Sequence, residues 1–360
     1  MPVQICSTIT RTLLDSRHRV ATQPSADRPE AEPLEPLDGR CRLDHAPDPV
    51  DTLLNAVIPI FGLIAVGYAA GYFRVLGHGA SEPLSRFVFH FALPALLFRA
   101  VSRSNLGDVL RWDYIAAFVL GLLAIALLSL LASRVMLRES PASAVMRAVN
   151  ATYGNVGYLG IPLAAVAYGE RGVIAAGIAV VLNTVLIIAP ATAALELMAR
   201  RGHAAGEAIT GSLGAVARNP LIIAVALGLV FAGGGAVVPG PIDVFLKLLG
   251  DAAGPGALFA LGLYVSGRPM MRTFGRLSLV AVFKLVAAPA VVWALATLVF
   301  PLEPVWLAAA VIMAGTPIGA GSFVLAERYR VDLDETSTAI VLTTLLSLLT
   351  LGFLLVHFSA

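Results

Sequence analysis

The chain has 360 residues, of which 58% are hydrophobic and only 13% charged, about half the charged share of a soluble domain. So few polar groups cannot cover a water-facing surface, so lipid is the expected solvent, and a net charge of only +2 argues against nucleic acid as a partner. The two cysteines, Cys6 and Cys41, both precede the apolar body, which rules out a disulfide or a cysteine-built zinc site there.

Residues 1–50 stand apart, with six Arg, many Asp, Glu and Pro and no apolar period. That composition reads as a disordered tail or as a start assigned too far upstream. The second is favoured, because Val50-Asp-Thr-Leu-Leu-Asn55 looks like a natural beginning. No apolar core of a secretory signal precedes the first span.

A bilayer asks for about 20 apolar residues per helix. In chain order, Thr52–Phe73, Tyr114–Ser133, Ala148–Gly169, Val173–Leu195, Asn219–Ile242, Pro304–Ala326 and Thr336–Ala360 are expected spans. None of the seven carries a Lys, Arg, Asp or Glu. Three weaker spans complete a set of ten: Phe87–Phe98, Ala252–Gly267 and Leu277–Phe300, the first two short and interrupted by proline, the third containing Lys284. Lys and Arg number thirteen in the connections after spans 1, 3, 5, 7 and 9, against five in the others. Positive residues favour the cytoplasm, so both termini are expected outside.

A faint repeat runs through the spans. Pro59 and Pro220 are 161 residues apart, and Pro94-Ala-Leu-Leu-Phe98 and Pro255-Gly-Ala-Leu-Phe259 share P-x-x-L-F at the same offset. Ala167-Tyr-Gly-Glu-Arg171 against Ala326-Glu-Arg-Tyr-Arg330 is looser. Five spans per copy is an odd number, so the second copy enters inverted, a transporter architecture. The expected division is 51–199 for the first repeat, 200–218 for a cytoplasmic connection and 219–360 for the second repeat.

The stretch Asn155-Val-Gly-Tyr-Leu-Gly-Ile-Pro162 breaks a membrane helix where an unpaired backbone group costs several kcal/mol. Pro162 lacks an N–H and meets the carbonyl of Tyr158, and Gly157 and Gly160 ease unwinding. Thr316-Pro-Ile-Gly-Ala-Gly321, followed by Ser322, is a similar cluster in span nine. Each break frees N–H donors at the start of a second half-helix, a partial positive end suited to an anion. Two such ends meeting at mid-membrane would bind a carboxylate, with Asn155 donating or accepting. The bland reading is a proline kink with glycines packed on neighbours; two breaks in matching places weigh against it.

Lys284, some eight residues into its span, is either a fixed cation near the site or a lysine snorkelling to the interface. His90 and Asp251 occupy equivalent places, each four residues before a P-x-x-L-F proline. Asp251 would carry a proton or pair with Lys284, and His90 would titrate near neutrality; alternatively, both face water at helix ends. Asn183 suits a helix–helix hydrogen bond better than a ligand. No G-x-x-x-x-G-K-[ST], H-E-x-x-H or C-x-x-C occurs, and no cofactor or metal is expected.

Jointly, several stretches resemble the auxin efflux carrier family, which includes bacterial carriers and plant PIN proteins. They are Ser85–Pro94, Asn155–Leu163, Arg218-Asn-Pro-Leu-Ile222, Asp251 with Ala257–Gly262, Phe323–Tyr329 and Thr344–Thr350, and the likeness covers about residues 52–358. The resemblance implies an all-α integral membrane protein of ten helices in two inverted five-helix repeats, as in bile-acid symporters and sodium/proton antiporters. Helices 4 and 9 would cross at their unwound middles, helices 1, 2, 6 and 7 would form a scaffold, and the rest would move. It places Asn155 at the substrate contact and Pro162 at the crossover proline, and it allows a homodimer. Helix nine departs, with Ser322 at the crossover-proline position and Pro317 five residues earlier; Gly319 and Gly321 are then expected to supply the break.

The reading that follows is a secondary active or facilitative carrier, not an enzyme, in a bacterial inner membrane. It moves a small organic anion by alternating access, with a proton or other ion as a candidate coupling partner. Substrate contacts fall to Asn155, Gly157, Pro162, Pro317, Gly319, Gly321 and Ser322, and coupling or charge tuning to Asp251, Lys284 and His90. The alternative is a channel or sensor-like membrane protein without saturable transport. An integral-membrane enzyme would need carboxylate pairs or histidine clusters at the wet face, and none is present.

Overall fold

A computed structural model describes residues 58–77, 79–199, 205–266 and 274–359. The tail 1–50, the start of the first expected span and residues 200–204 of the 200–218 connection lie outside these. Among the described residues there is no β-strand, only one isolated bridge between Gly154 and Ile318.

The chain forms α1 (Ile58–Tyr72), α2 (Ser81–Ser102) and α3 (Trp112–Met136), then α4 (Pro141–Thr152) and α5 (Val156–Ala199). There follow α6 (Ala205–Ala217), α7 (Pro220–Gly233), α8 (Gly240–Ser266) and α9 (Leu277–Val299). The series closes with α10 (Pro304–Ala314), α11 (Gly321–Tyr329) and α12 (Leu333–Ser359). Six of these, α2, α3, α5, α8, α9 and α12, are long and apolar enough to cross a membrane, and Thr210–Ala217 of α6 with α7, bent by 64°, makes a seventh if the pair is one span.

α5 is 44 residues long, about 66 Å if straight and roughly twice the hydrocarbon thickness. It is not straight. At Gly169 the backbone takes φ 60 and ψ −143, open to glycine and closed to most residues. A Cβ on Gly172 would lie 2.3 Å from the carbonyl oxygen of Ala164, eight residues back, which a straight helix keeps about 12 Å away. The chain doubles back at Gly169: its second limb covers the expected fifth span, while its first limb, with the end of α4 and the gap before it, makes up the expected fourth.

Two boundaries differ from expectation. The sixth span, expected to reach Ile242, ends at Gly233, because Gly234 and Gly235 (φ 61) stop the helix. The weak seventh span is the second limb of α8, whose first limb, Gly240–Asp251, escaped notice because Asp243 and Lys247 interrupt its apolar run. That limb is anchored to α2: Asp243 accepts from Arg99 at 2.9 Å and from Arg103 at 2.5 Å.

Prolines inside the helices do not break them. Pro94, Pro162, Pro190 and Pro289 each follow, by two residues, the end of a widened π turn: Val88–Ala92, Val156–Gly160, Thr184–Ile188 and Phe283–Ala287. A π turn shifts backbone bonding from the fourth to the fifth residue, which absorbs both the missing N–H and the ring.

Helices pack through small residues where backbones nearly touch. α1 lies along the Ala253–Ser266 limb of α8, and α7 along the Leu93–Ser102 limb of α2. A Cβ on Gly67 would stand 2.2 Å from the carbonyl oxygen of Phe259; one on Gly228 would stand 2.8 Å from the Val101 Cβ and 3.3 Å from the carbonyl oxygen of Phe98. Gly67 and Gly228, like Phe259 and Phe98, are 161 residues apart, the offset of the P-x-x-L-F pair. Between lipid-bathed helices, such close approach supplies the dispersion contact that a hydrophobic drive cannot. Gly67→Ala, which must push α1 off the Phe259 backbone, is expected to cost about 1–3 kcal/mol. Gly62→Ala, with open space around it, should leave the thermal midpoint in detergent unchanged.

Candidate functional site at the crossing of two broken helices

Two gaps interrupt the helices: Tyr153–Asn155, between α4 and α5, and Gly315–Ala320, between α10 and α11. Each carries backbone groups that lipid would leave unpaired, and the two gaps pair with one another. The Asn155 N–H donates to the Pro317 carbonyl at 2.7 Å and the Gly319 N–H to the Tyr153 carbonyl at 3.1 Å, flanking the Gly154–Ile318 bridge.

The two N–H groups left at the bridge are met by side chains. Gly154 N–H donates to Asn183 Oδ1 at 3.3 Å, and Ile318 N–H donates to Thr343 Oγ1 at 3.2 Å. Each brace comes from the span that follows its gap: Asn183 from the second limb of α5, Thr343 from α12. Asn183 thus makes the inter-helix hydrogen bond expected of it, anchored by Nδ2 on the Ala179 carbonyl.

Beyond the gaps the new helices begin with unused donors. Among the described residues, no acceptor meets the N–H groups of Val156, Gly157 and Tyr158 at the start of α5, nor those of Ala320 and Gly321 at the start of α11. All five residues line one cavity of about 340 Å³, with Tyr153, Asn155, Asn183, Thr184, Asn219 and Gly319. Asn155 is only 5% exposed, and its side chain has no hydrogen-bond partner among the described residues. The far wall includes Phe89 of α2, whose ring stacks on Tyr158 with centroids 6.3 Å apart, and Leu221 of α7. No Lys, Arg, Asp or Glu lines this cavity, so its field comes from two helix N-termini and polar neutral side chains.

The opposite pole of the crossing holds a cation. Lys284 is fully buried, and its Nζ donates to the carbonyl of Ala314, the last residue of α10, at 2.6 Å. A Cβ on Gly154 would lie 3.3 Å from the same Nζ, so the ammonium touches both broken spans. This overturns the snorkelling alternative. No carboxylate pairs with it among the described residues; the negative end of α10 is its electrostatic partner.

The sequence-derived candidates separate accordingly. Asn155, Gly157, Gly319 and Gly321 line the cavity, whereas Pro162, Pro317 and Ser322 do not. Pro162 is buried inside α5, seven residues past the gap, and packs near Gly254; it does not make the break, because the π turn before it accommodates the ring. Pro317 lies within the second gap and contributes its carbonyl to Asn155. Ser322 is fully buried with its hydroxyl unpartnered. Asp251 does not meet Lys284: its side chain is 57% exposed and pairs with Lys247 at 2.6 Å. His90 is exposed, with Nδ1 3.0 Å from the Arg86 carbonyl. Neither stands at the crossing: Asp251 closes the first limb of α8, and His90 lies in the π turn of α2, nine residues from its start. Sequence reasoning missed Tyr153, Ala320, Thr343 and Asn219. The last had a signal, since Asn before Pro220 is a helix cap, and its Oδ1 accepts from the Leu221 N–H at 2.9 Å.

Residues 52–210 and 209–355 match the membrane transport protein family. The chain belongs to that family. It thereby meets the likeness to auxin efflux carriers, and this member of the family is a multi-pass membrane transporter, not an enzyme. A protein of Rhizobium meliloti (strain 1021), provisionally named a malonate transporter, is 31% identical over 84% of this chain and 95% of its own length. An uncharacterised transporter of Methanothermobacter thermautotrophicus is 26% identical over 82% of this chain and 95% of its own. The uncharacterised transporter YfdV of Escherichia coli (strain K12) is 23% identical over 58% of this chain and 68% of its own.

The crossing generates a stability prediction. Thr343→Val keeps the side-chain shape but leaves the buried Ile318 N–H unpaired, so the thermal midpoint should fall by an amount equivalent to about 1–3 kcal/mol. Thr343→Ser, which keeps the hydroxyl, should recover most of it.

Proposed function

We propose that this transporter carries small organic anions across a bacterial inner membrane by alternating access, with the carboxylate bound at the crossing. One observation carries the reading: two helix starts with unused N–H donors, and the buried unpartnered Asn155, face the same cavity. A carboxylate can accept from several of these donors at once, in a site where low polarity strengthens each bond. The provisional name of the Rhizobium relative supports a short dicarboxylate such as malonate among the candidates.

The proposed architecture is ten crossings in two inverted repeats, 51–199 and 219–360, with both termini outside. In support, Gly67 against Phe259 and Gly228 against Phe98 recur at one offset, and both gaps are braced from the following span. α1, α2, α7 and α8 would be the scaffold, and the crossing would belong to the moving part. The cavity between Asn155 on one side and Phe89 and Leu221 on the other then lies where the two parts slide. Lys284 would serve as the fixed charge that tunes substrate binding or coupling.

The test is uptake into liposomes with a panel of carboxylates. The parent should show saturable flux for at least one, and Asn155→Ala should reduce it about ten-fold or more. Parent-like transport of every substrate by Asn155→Ala would end the assignment, and flux that never saturates would favour a channel. Lys284→Met retains bulk while removing a buried charge, so its thermal midpoint should hold or rise; anion flux should fall at least ten-fold, separating a functional lysine from a structural one.

A further inference from the structure

Tyr153 has a position that the reading above leaves unused. It belongs to the first gap, yet its ring reaches across to the second. A Cβ on Gly319 would lie 2.5 Å from Tyr153 Cε1, and one on Gly321 would lie 2.9 Å from both Cε1 and the hydroxyl oxygen. Three atoms of the Tyr153 ring system are the nearest neighbours to the empty side of Gly321. The phenol hydroxyl is therefore set against the first residue of α11, where the N–H groups of Ala320 and Gly321 have no acceptor. The hydroxyl itself has no partner among the described residues, and Tyr153 lines the cavity with Asn155.

We infer that the Tyr153 hydroxyl is a substrate-contacting donor, which completes with the Ala320 and Gly321 N–H groups an anion pocket at the start of α11, and that Gly321 is glycine to make room for it. The inference rests on the carboxylate reading of the cavity and deepens it. The first gap then supplies both side-chain donors that the geometry needs: Asn155 beside the start of α5, and Tyr153 beside the start of α11. A neutral phenol suits the place, because it donates to an anion without adding a charge to a cavity that holds none. The glycines of the second gap thus have a role other than helix breaking. The gap is already opened by its pairing with Tyr153–Asn155, and Gly321 lies at the first position of an intact helix.

The experiment uses the full chain in detergent, with acetate, malonate, succinate and indole-3-acetate as probes, and reads dissociation constants beside thermal midpoints. Tyr153→Phe keeps the ring and removes only the hydroxyl. It should weaken the bound carboxylate about ten-fold or more with the ligand-free midpoint unchanged. Gly321→Ala should lower the midpoint and weaken binding, and Tyr153→Ala combined with Gly321→Ala should restore the midpoint but not the binding. Parent-like affinity of Tyr153→Phe for every probe, while Asn155→Ala loses affinity, would overturn the Tyr153 assignment and leave the carboxylate cavity standing. A parent that binds none of the probes would overturn both.

Discussion

Everything in this molecule is arranged around a backbone problem. Two helices are interrupted inside the apolar body, and each interruption exposes peptide groups that hydrocarbon cannot satisfy. The gaps resolve this by bonding to one another across the Gly154–Ile318 bridge, with Asn183 and Thr343 taking the two donors that remain. Neither gap is stable alone, so the crossing, and not either break, is the structural unit. It also explains why position 154 is glycine: a Cβ there would lie 2.3 Å from Thr316 Oγ1 and 3.3 Å from Lys284 Nζ.

The same crossing sorts charge. Helix starts bring their positive ends to a cavity without charged side chains, while the negative end of α10 is occupied by Lys284. An anion bound at the cavity and a cation fixed behind it would lie on opposite sides of one short stretch of backbone. The second half of the chain provides the lysine, and the corresponding position in the first half, near Leu123, is apolar and exposed. The two gaps, alike in how they pair and are braced, differ in electrostatics.

Distance from the crossing changes the kind of interaction. The helices that face the cavity from outside, α2 and α7, meet through Gly228, Val101 and Phe98, and α1 meets α8 through Gly67 and Phe259. Buried ions do work of another kind at the helix ends, where Arg147 joins Glu139 and Glu335, and so ties α4 to α12. Breaking such a pair would leave an uncompensated buried charge, which holds the first half of one broken span to the last helix.

Much was legible in the sequence because lipid imposes a coarse rule: long apolar runs become helices, and clustered Gly, Pro and Asn within them mark a departure. The all-helical body and the two breaks follow from that rule, and the structure places Asn155, Gly157, Gly319 and Gly321 on one cavity. The sequence could not say which residue makes a break. Proline fixes only its own φ and donor, and whether the helix parts or merely widens depends on partners brought from elsewhere; hence Pro162 sits in an intact helix and the gap lies seven residues earlier. Nor could it assign the charged residues. Lys284 and Asp251 look alike as charges near apolar runs, but only tertiary packing decided that one meets a helix end at the crossing and the other a lysine one turn away at the surface. Tyr153 was invisible for the same reason: its meaning lies in the empty side of Gly321, 168 positions along the chain, and only the fold brings them together.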